Sequence, residues 1–300
     1  MAYVRLQVLG GLTASAGSTG IVRIPASCHP MLGYLITHRA RRVSRTELAE
    51  TLWGNHSGEH ARGCLATALW RLKQATRSGP SLLSFHGGDE VALNWAGPIW
   101  VDAVALELRV RPLLPIKHVA LKPVDIGRLQ RGLRIYRGDF LKGLDAEWAA
   151  LERQRLRNLY ADGLYHLTAA HAAAANWAAT LEWGRRLNQE EPLREDTHRL
   201  LMLAHARTGN RAKAVAQYRE CERILAGELG VEPMPETQAL HRQLVRSPES
   251  GTVLAPVGPS ATRIARRKST THRPLALHRE RADPAIPPSA SSESTASPDQ

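Results

Sequence analysis

Val43-Ser44-Arg45-Thr46-Glu47-Leu48-Ala49-Glu50-Thr51-Leu52-Trp53, followed by Gly54-Asn55, is the stretch on which the fold turns. Ser44 and Glu47 have the spacing of a capping box. The hydroxyl accepts from the Glu47 amide, while the carboxylate reaches back to the Ser44 amide. Leu48 and Leu52 lie one turn apart and face inward, and Gly54-Asn55 ends the helix. Just upstream, Met31, Leu32, Leu35 and Ile36 share one face of a helix expected over residues 30–39. Downstream, a third helix is expected over residues 58–77.

The flanking segments read as strands. Residues 3–9 alternate apolar and polar, and residues 21–24 form a second candidate after a Gly/Ser-rich turn. Beyond the third helix, residues 82–85 and 91–93 flank Gly87-Gly88-Asp89 and predict a β-hairpin. Strands, three helices and a closing hairpin are the order of a winged helix-turn-helix.

Charge agrees with that reading. The chain has 300 residues, with 40 Lys and Arg against 28 Asp and Glu. Residues 1–78 carry ten of the bases but only three acids, Glu47, Glu50 and Glu59. A basic excess concentrated in the first quarter favours a polyanionic partner there. Cys28, Cys64 and Cys221 are too few and too scattered for a disulfide framework or a paired-cysteine metal site. No run is long and apolar enough for a membrane span. The strand-like N-terminus is no secretory signal, so the cytoplasm is the expected location.

The second half is rich in Ala and Leu and repeats at an offset of 34. Leu167 maps on Leu201, Ala170 on Ala204, His171 on His205, Ala172 on Ala206, Asn176 on Asn210 and Ala178 on Ala212. That is the tetratricopeptide period, in which small residues let paired helices approach closely. His171 and His205 are expected to pack between helices rather than bind metal. Residues 247–300 are rich in Pro, Ser and Thr and nearly devoid of aromatics, and are expected to be disordered. Arg266-Arg267-Lys268 within them is expected to be solvated charge.

Residues 43–53 resemble the second helix of the OmpR-type DNA-binding domain as it occurs in the Streptomyces antibiotic regulatory protein family. Three further stretches resemble that family's bacterial transcriptional activator domain. They are Tyr136-Arg137-Gly138-Asp139-Phe140-Leu141, Glu191-Pro192-Leu193-Arg194-Glu195-Asp196-Thr197-His198-Arg199-Leu200, and Gly227-Glu228-Leu229-Gly230-Val231-Glu232-Pro233. Gly230 suits a left-handed helix C-terminus, and Pro233 prevents continuation. The expected fold is therefore an α+β winged helix-turn-helix over residues 1–103. An all-α tetratricopeptide-like domain over 104–246 and a tail over 247–300 follow it.

The resemblance implies a transcriptional activator that binds double-stranded DNA at promoter direct repeats, pairs on that DNA and recruits RNA polymerase. It also links the chain to secondary-metabolite genes. An adaptor built on the helical repeat, with a basic docking domain, is the competing reading. No Gly-rich phosphate loop, HExxH or GxSxG motif occurs, so neither an enzyme nor a cofactor is expected.

The third helix carries the expected DNA contacts. Leu65, Leu69, Leu72 and Thr76 fall on one face, and Thr67, Trp70 and Gln74 on the other, flanked by Arg71, Lys73 and Arg77. Arg71 suits a guanine or a phosphate, Gln74 an adenine and Thr67 a thymine methyl or a phosphate. Arg62, Lys73 and Arg77 suit backbone phosphates, and Trp70 suits a sugar or base methyl unless it packs beneath the wing. His86 and Asn94 are the candidate wing contacts. Since Leu69 faces inward, Leu69→Ala should destabilise the protein by about 2–5 kcal/mol in chemical denaturation.

Overall fold

The alternation at the N-terminus produces strand β1 (Val4–Gln7), with Val4 and Leu6 buried. A computed structural model describes residues 3–17, 20–77 and 79–246. Strand β1 pairs antiparallel with β2 (Thr13–Ala16), which pairs in turn with β3 (Gly20–Val22). A 3-10 turn, Ala26–Cys28, leads into α1 (His29–Thr37). This helix starts one residue before the expected position and stops two earlier, where His38 leaves helical geometry.

The short strand β4 (Val43–Ser44) then precedes α2 (Arg45–Trp53) and α3 (Gly58–Ala75). Strands β5 (Leu83–His86) and β6 (Glu90–Leu93) form the hairpin, in the register Phe85 to Val91 and His86 to Glu90. Strand β4 adds to β6 to give a second sheet, in the order β4-β6-β5. Strand β7 (Ile99–Val101) returns beside β1 in parallel, so the first sheet has the order β3-β2-β1-β7. The architecture through β7 is a winged helix-turn-helix with an N-terminal sheet. The sequence alone does not separate β4 and β7, which are too short to show a period, or β2, whose Thr13-Ala14-Ser15-Ala16 carries no large apolar side chain.

The rest is helical: α4 (Asp102–Val110), α5 (Pro123–Leu133), α6 (Glu147–Ala173), α7 (Trp177–Glu190), α8 (Glu195–Arg207), α9 (Arg211–Leu229) and α10 (Pro235–Arg246). Residues 247–300, including Arg266-Arg267-Lys268, lie outside the described residues. No described helix is long and apolar enough to cross a membrane.

The 34-residue recurrence has a specific backbone cause. At the end of α6, the Asn176 amide donates to the His171 carbonyl at 2.9 Å and the Ala175 amide to Ala172 at 3.0 Å. At the end of α8, Asn210 donates to His205 at 2.8 Å and Gly209 to Ala206 at 3.0 Å. Each pair is a Schellman closure, which needs a left-handed residue just past the helix. Gly209 fills that place at φ 76°, and Ala175 fills the equivalent one at φ 54°. Leu167, Leu201, Ala170, Ala204, His171 and His205 are all buried, so the repeat is also a repeat of packing.

One hydrophobic core runs without a break from Val4 in the first sheet to Leu187 in α7. The expected boundary between residues 103 and 104 lies inside α4. Two backbone hydrogen bonds stitch the sheet to the helical part. The Leu141 amide donates to the Val8 carbonyl, and the Gly10 amide to the Asp139 carbonyl, both at 2.8 Å. The Asp102 carboxylate accepts from the amides of Val8 at 2.9 Å, Leu9 at 3.1 Å and Ala103 at 2.8 Å. Gly33 in α1 lies so close to Leu141 that an added Cβ would clash with its Cδ1. A smaller core, with Met202, Ala214, Tyr218, Leu240 and Leu244, closes α8, α9 and α10.

Ala175 is exposed, and its left-handed backbone costs about 1–2 kcal/mol that glycine would not incur. Glycine also gives the unfolded chain more freedom, worth about 0.4–1 kcal/mol. Ala175→Gly should therefore raise stability by about 0.5 kcal/mol, measured by urea unfolding. A lower midpoint would contradict the Schellman assignment.

Candidate nucleic-acid interface

Helix α3 has the two faces its sequence predicts. Ser57 caps it, its Oγ accepting from the His60 amide at 3.4 Å. Leu65, Leu69, Leu72 and Thr76 are buried, and Arg62, Thr67, Trp70, Arg71, Lys73, Gln74 and Arg77 are all exposed. The first six of these lie on the helix. Arg77 follows its Thr76 C-cap and stays close because its amide donates to the Gln74 carbonyl. Trp70 is 61% exposed, so it does not pack beneath the wing.

Local hydrogen bonds set several of these side chains. Arg62 Nε donates to the Gly58 carbonyl at 3.0 Å, which holds the guanidinium at the first turn of α3. Thr67 Oγ1 donates to the Gly63 carbonyl at 2.9 Å. Its hydrogen is thereby used, leaving the methyl and an oxygen acceptor for a partner. Arg71 Nη1 donates to Ser27 Oγ at 3.2 Å, a link across 44 residues that no local pattern signals.

The hairpin is held firmly to this helix pair. Strand β4 runs straight into α2, and the Arg45 amide donates to the Asp89 carbonyl at 2.8 Å. The Arg45 guanidinium lies 5.6 Å from the centre of the exposed Phe85 ring, a cation-π contact at the wing. Arg42 lies 3.5 Å from Glu90. His86 Nε2 lies 3.2 Å from Ser84 Oγ, and Asn94 Nδ2 donates to the Ser81 carbonyl, so both wing candidates have partners within the protein. Arg45 and Phe85 were missing from the expected site, because only the pairing of β4 with the wing brings them together.

The capping box at α2 forms by half. Ser44 Oγ accepts from the Glu47 amide at 3.0 Å. The Glu47 carboxylate does not reach back, because it accepts from Tyr34 Oη at 2.7 Å and from Arg41 Nη1 at 2.8 Å. Two stronger donors outcompete one backbone amide. Arg41 is thus neutralised within the fold.

Residues 125–245 match the model of the bacterial transcriptional activator domain. Transcriptional regulator RedD of Streptomyces coelicolor is 26% identical over 259 residues, covering 81% of this chain and 70% of that protein. Regulatory protein AfsR of the same organism is 28% identical over 249 residues, covering 81% of this chain. The chain is therefore similar to regulators of the Streptomyces antibiotic regulatory protein type, and its residues 125–245 carry their bacterial transcriptional activator domain. It spans about a quarter of AfsR, 24% for the S. coelicolor protein and 25% for that of Streptomyces griseus. The fold is that of Mycobacterium tuberculosis EmbR, solved in complex with a low affinity phosphopeptide. The TM-score is 0.67 at 19% identity, over 83% of this chain and 67% of EmbR.

Motifs that resemble the family's have structural roles here. Arg194 pairs with Glu191 and Asp196, each at 3.0 Å, and lies over the Tyr165 ring. Glu195 Oε2 accepts from the Met234 amide at 2.8 Å and from Thr237 Oγ1 at 2.7 Å, joining the start of α8 to that of α10.

The Arg41 guanidinium, helped by Tyr34 and opposed by burial, brings the Glu47 pKa down from 4.5 to about 2. A folded-state pKa below the ordinary one gives stability that is complete above about pH 4.5 and lost as pH falls towards 2. The melting temperature of Glu47→Gln should therefore lie below wild type at neutral pH, with the gap closing across that interval. A gap that stays constant down to pH 2 would exclude the ion pair as its source.

Proposed function

We propose that this protein regulates transcription by placing the outer face of α3 in the major groove of promoter DNA. What supports the reading is one helix whose apolar side is wholly committed to the core while its polar, basic side is exposed. Arg71 and Gln74 would read base edges, with Thr67 and Trp70 contacting a methyl, sugar or phosphate. Arg62, Lys73 and Arg77 would neutralise phosphates and set the register. Residues 1–103 carry this task, and the helical residues 104–246 contact RNA polymerase. Activation, secondary-metabolite genes as targets and a cytoplasmic location complete the proposal, as the resemblance to the Streptomyces antibiotic regulatory protein family implies.

A single winged helix covers one short half-site, too little for selectivity in a genome. Two protomers on direct repeats, about one helical turn apart, would keep both recognition helices on the same face of the duplex. With Arg41 held by Glu47, the phosphate contacts fall to Arg62, Lys73, Arg77 and the exposed Arg42, about four per protomer. Eight such contacts should make log K fall against log salt with a slope of about −7. Half a turn inserted between the repeats should abolish cooperative binding, and a full turn should restore part of it. A slope of about −2, or indifference to the half-turn, would overturn the paired model.

A further inference from the structure

We infer that Ser27 is a positioning residue for Arg71, turning one edge of its guanidinium towards a pair of acceptor atoms on DNA. The inference rests on the proposed DNA-binding face. Its observation is separate from that face, because Ser27 lies on the 3-10 turn ahead of α1. This turn is fastened to α3: Cys28 is buried, and its Sγ donates to the Ala68 carbonyl at 3.4 Å. Ala68 stands three residues before Arg71, so the staple and the Arg71 side chain lie along one side of the helix. Ser27, beside Cys28, then presents Oγ to Arg71 Nη1 at 3.2 Å.

The chemistry follows from the arginine fork. A guanidinium carries five N–H donors, and Ser27 takes one of them, on Nη1. The edge formed by Nε and Nη2 keeps two parallel donors, the arrangement that binds two acceptors at once. On DNA those acceptors are the O6 and N7 of a guanine or two oxygens of a phosphate. An exposed arginine without a tether samples many rotamers and loses that freedom on binding. One held at Nη1 has already lost part of it. Ser27 therefore acts on DNA only through Arg71.

The test uses the full chain and a duplex chosen from a random library by the wild-type protein. Affinity is measured for wild type, Ser27→Ala, Ser27→Thr, Arg71→Ala and the double variant Ser27→Ala/Arg71→Ala. Ser27→Ala should weaken binding about 3- to 10-fold, the worth of one hydrogen bond. Ser27→Thr should restore it, and the melting temperature should not move. Arg71→Ala should weaken binding at least about 10-fold, and adding Ser27→Ala should change nothing further.

If the acceptors belong to a guanine, both single variants lose preference at the same base pair. If they belong to a phosphate, both weaken all sequences alike and the salt slope falls by about 1. Wild-type affinity in Ser27→Ala beside a weakened Arg71→Ala would overturn the positioning role and leave the DNA-binding reading standing. Tighter binding by Ser27→Ala, or an equal loss in the Arg71→Ala background, would also overturn it. Wild-type affinity in Arg71→Ala would remove Arg71 from the interface and the inference with it.

Discussion

Three residues just past β1, Val8 to Gly10, tie the first sheet to the helical part. Val8 and Leu9 are buried, where an unpaired N–H would be costly, and each of the three amides finds a partner from a distant segment. Asp102 takes Val8 and Leu9, and Asp139 takes Gly10 through its backbone carbonyl. The carbonyl of Val8 in turn receives the Leu141 amide. This ladder gives the segment Tyr136 to Leu141 its structural meaning. Phe140 enters the core, and Leu141 presses on Gly33 of α1. The Asp139 side chain binds Arg157 of α6, with Nε to Oδ1 at 2.6 Å.

A charged cluster lies along the same seam. Glu107 of α4 is buried and bonded to Arg39 from the end of α1, to Arg111 at 3.0 Å and to Arg155 of α6 at 3.2 Å. Burial alone would raise its pKa, but Arg155, Arg39 and Arg111 hold it below the ordinary carboxylate value. Tyr34 meets Trp148 edge to face at 5.3 Å between centroids. The helix that leads into α2 and α3 is therefore packed directly on the helical part, at the start of α6. The frame that carries α3 extends into α6, and the two halves share one core rather than a linker.

Burial and exposure divide α3 lengthwise. Its buried leucines belong to the shared core, so the outer side chains can differ without disturbing the fold. The wing is tied to the same unit through β4, which ends at the Ser44 cap of α2. Helix α3 and the hairpin consequently keep a fixed relation, as the proposed fit to a duplex would require.

The sequence by itself determined the periodic elements: the apolar faces of α1 and α3, the Ser44 cap, the Gly87-Gly88 hairpin and the 34-residue repeat. Each depends on residues within a turn or two of one another, or on a pattern that repeats. The exposed row of Arg62, Thr67, Trp70, Arg71, Lys73, Gln74 and Arg77 was legible for the same reason, since helix geometry alone places it opposite Leu65, Leu69 and Leu72. Tertiary structure decided the rest. Glu47 turned from Ser44 to Arg41 and Tyr34 because stronger donors arrived from another segment. Arg71 found Ser27, 44 residues away, and Phe85 found Arg45 through a two-residue strand too short to announce itself. Side-chain partners chosen across such distances depend on how the elements pack, which no local spacing encodes.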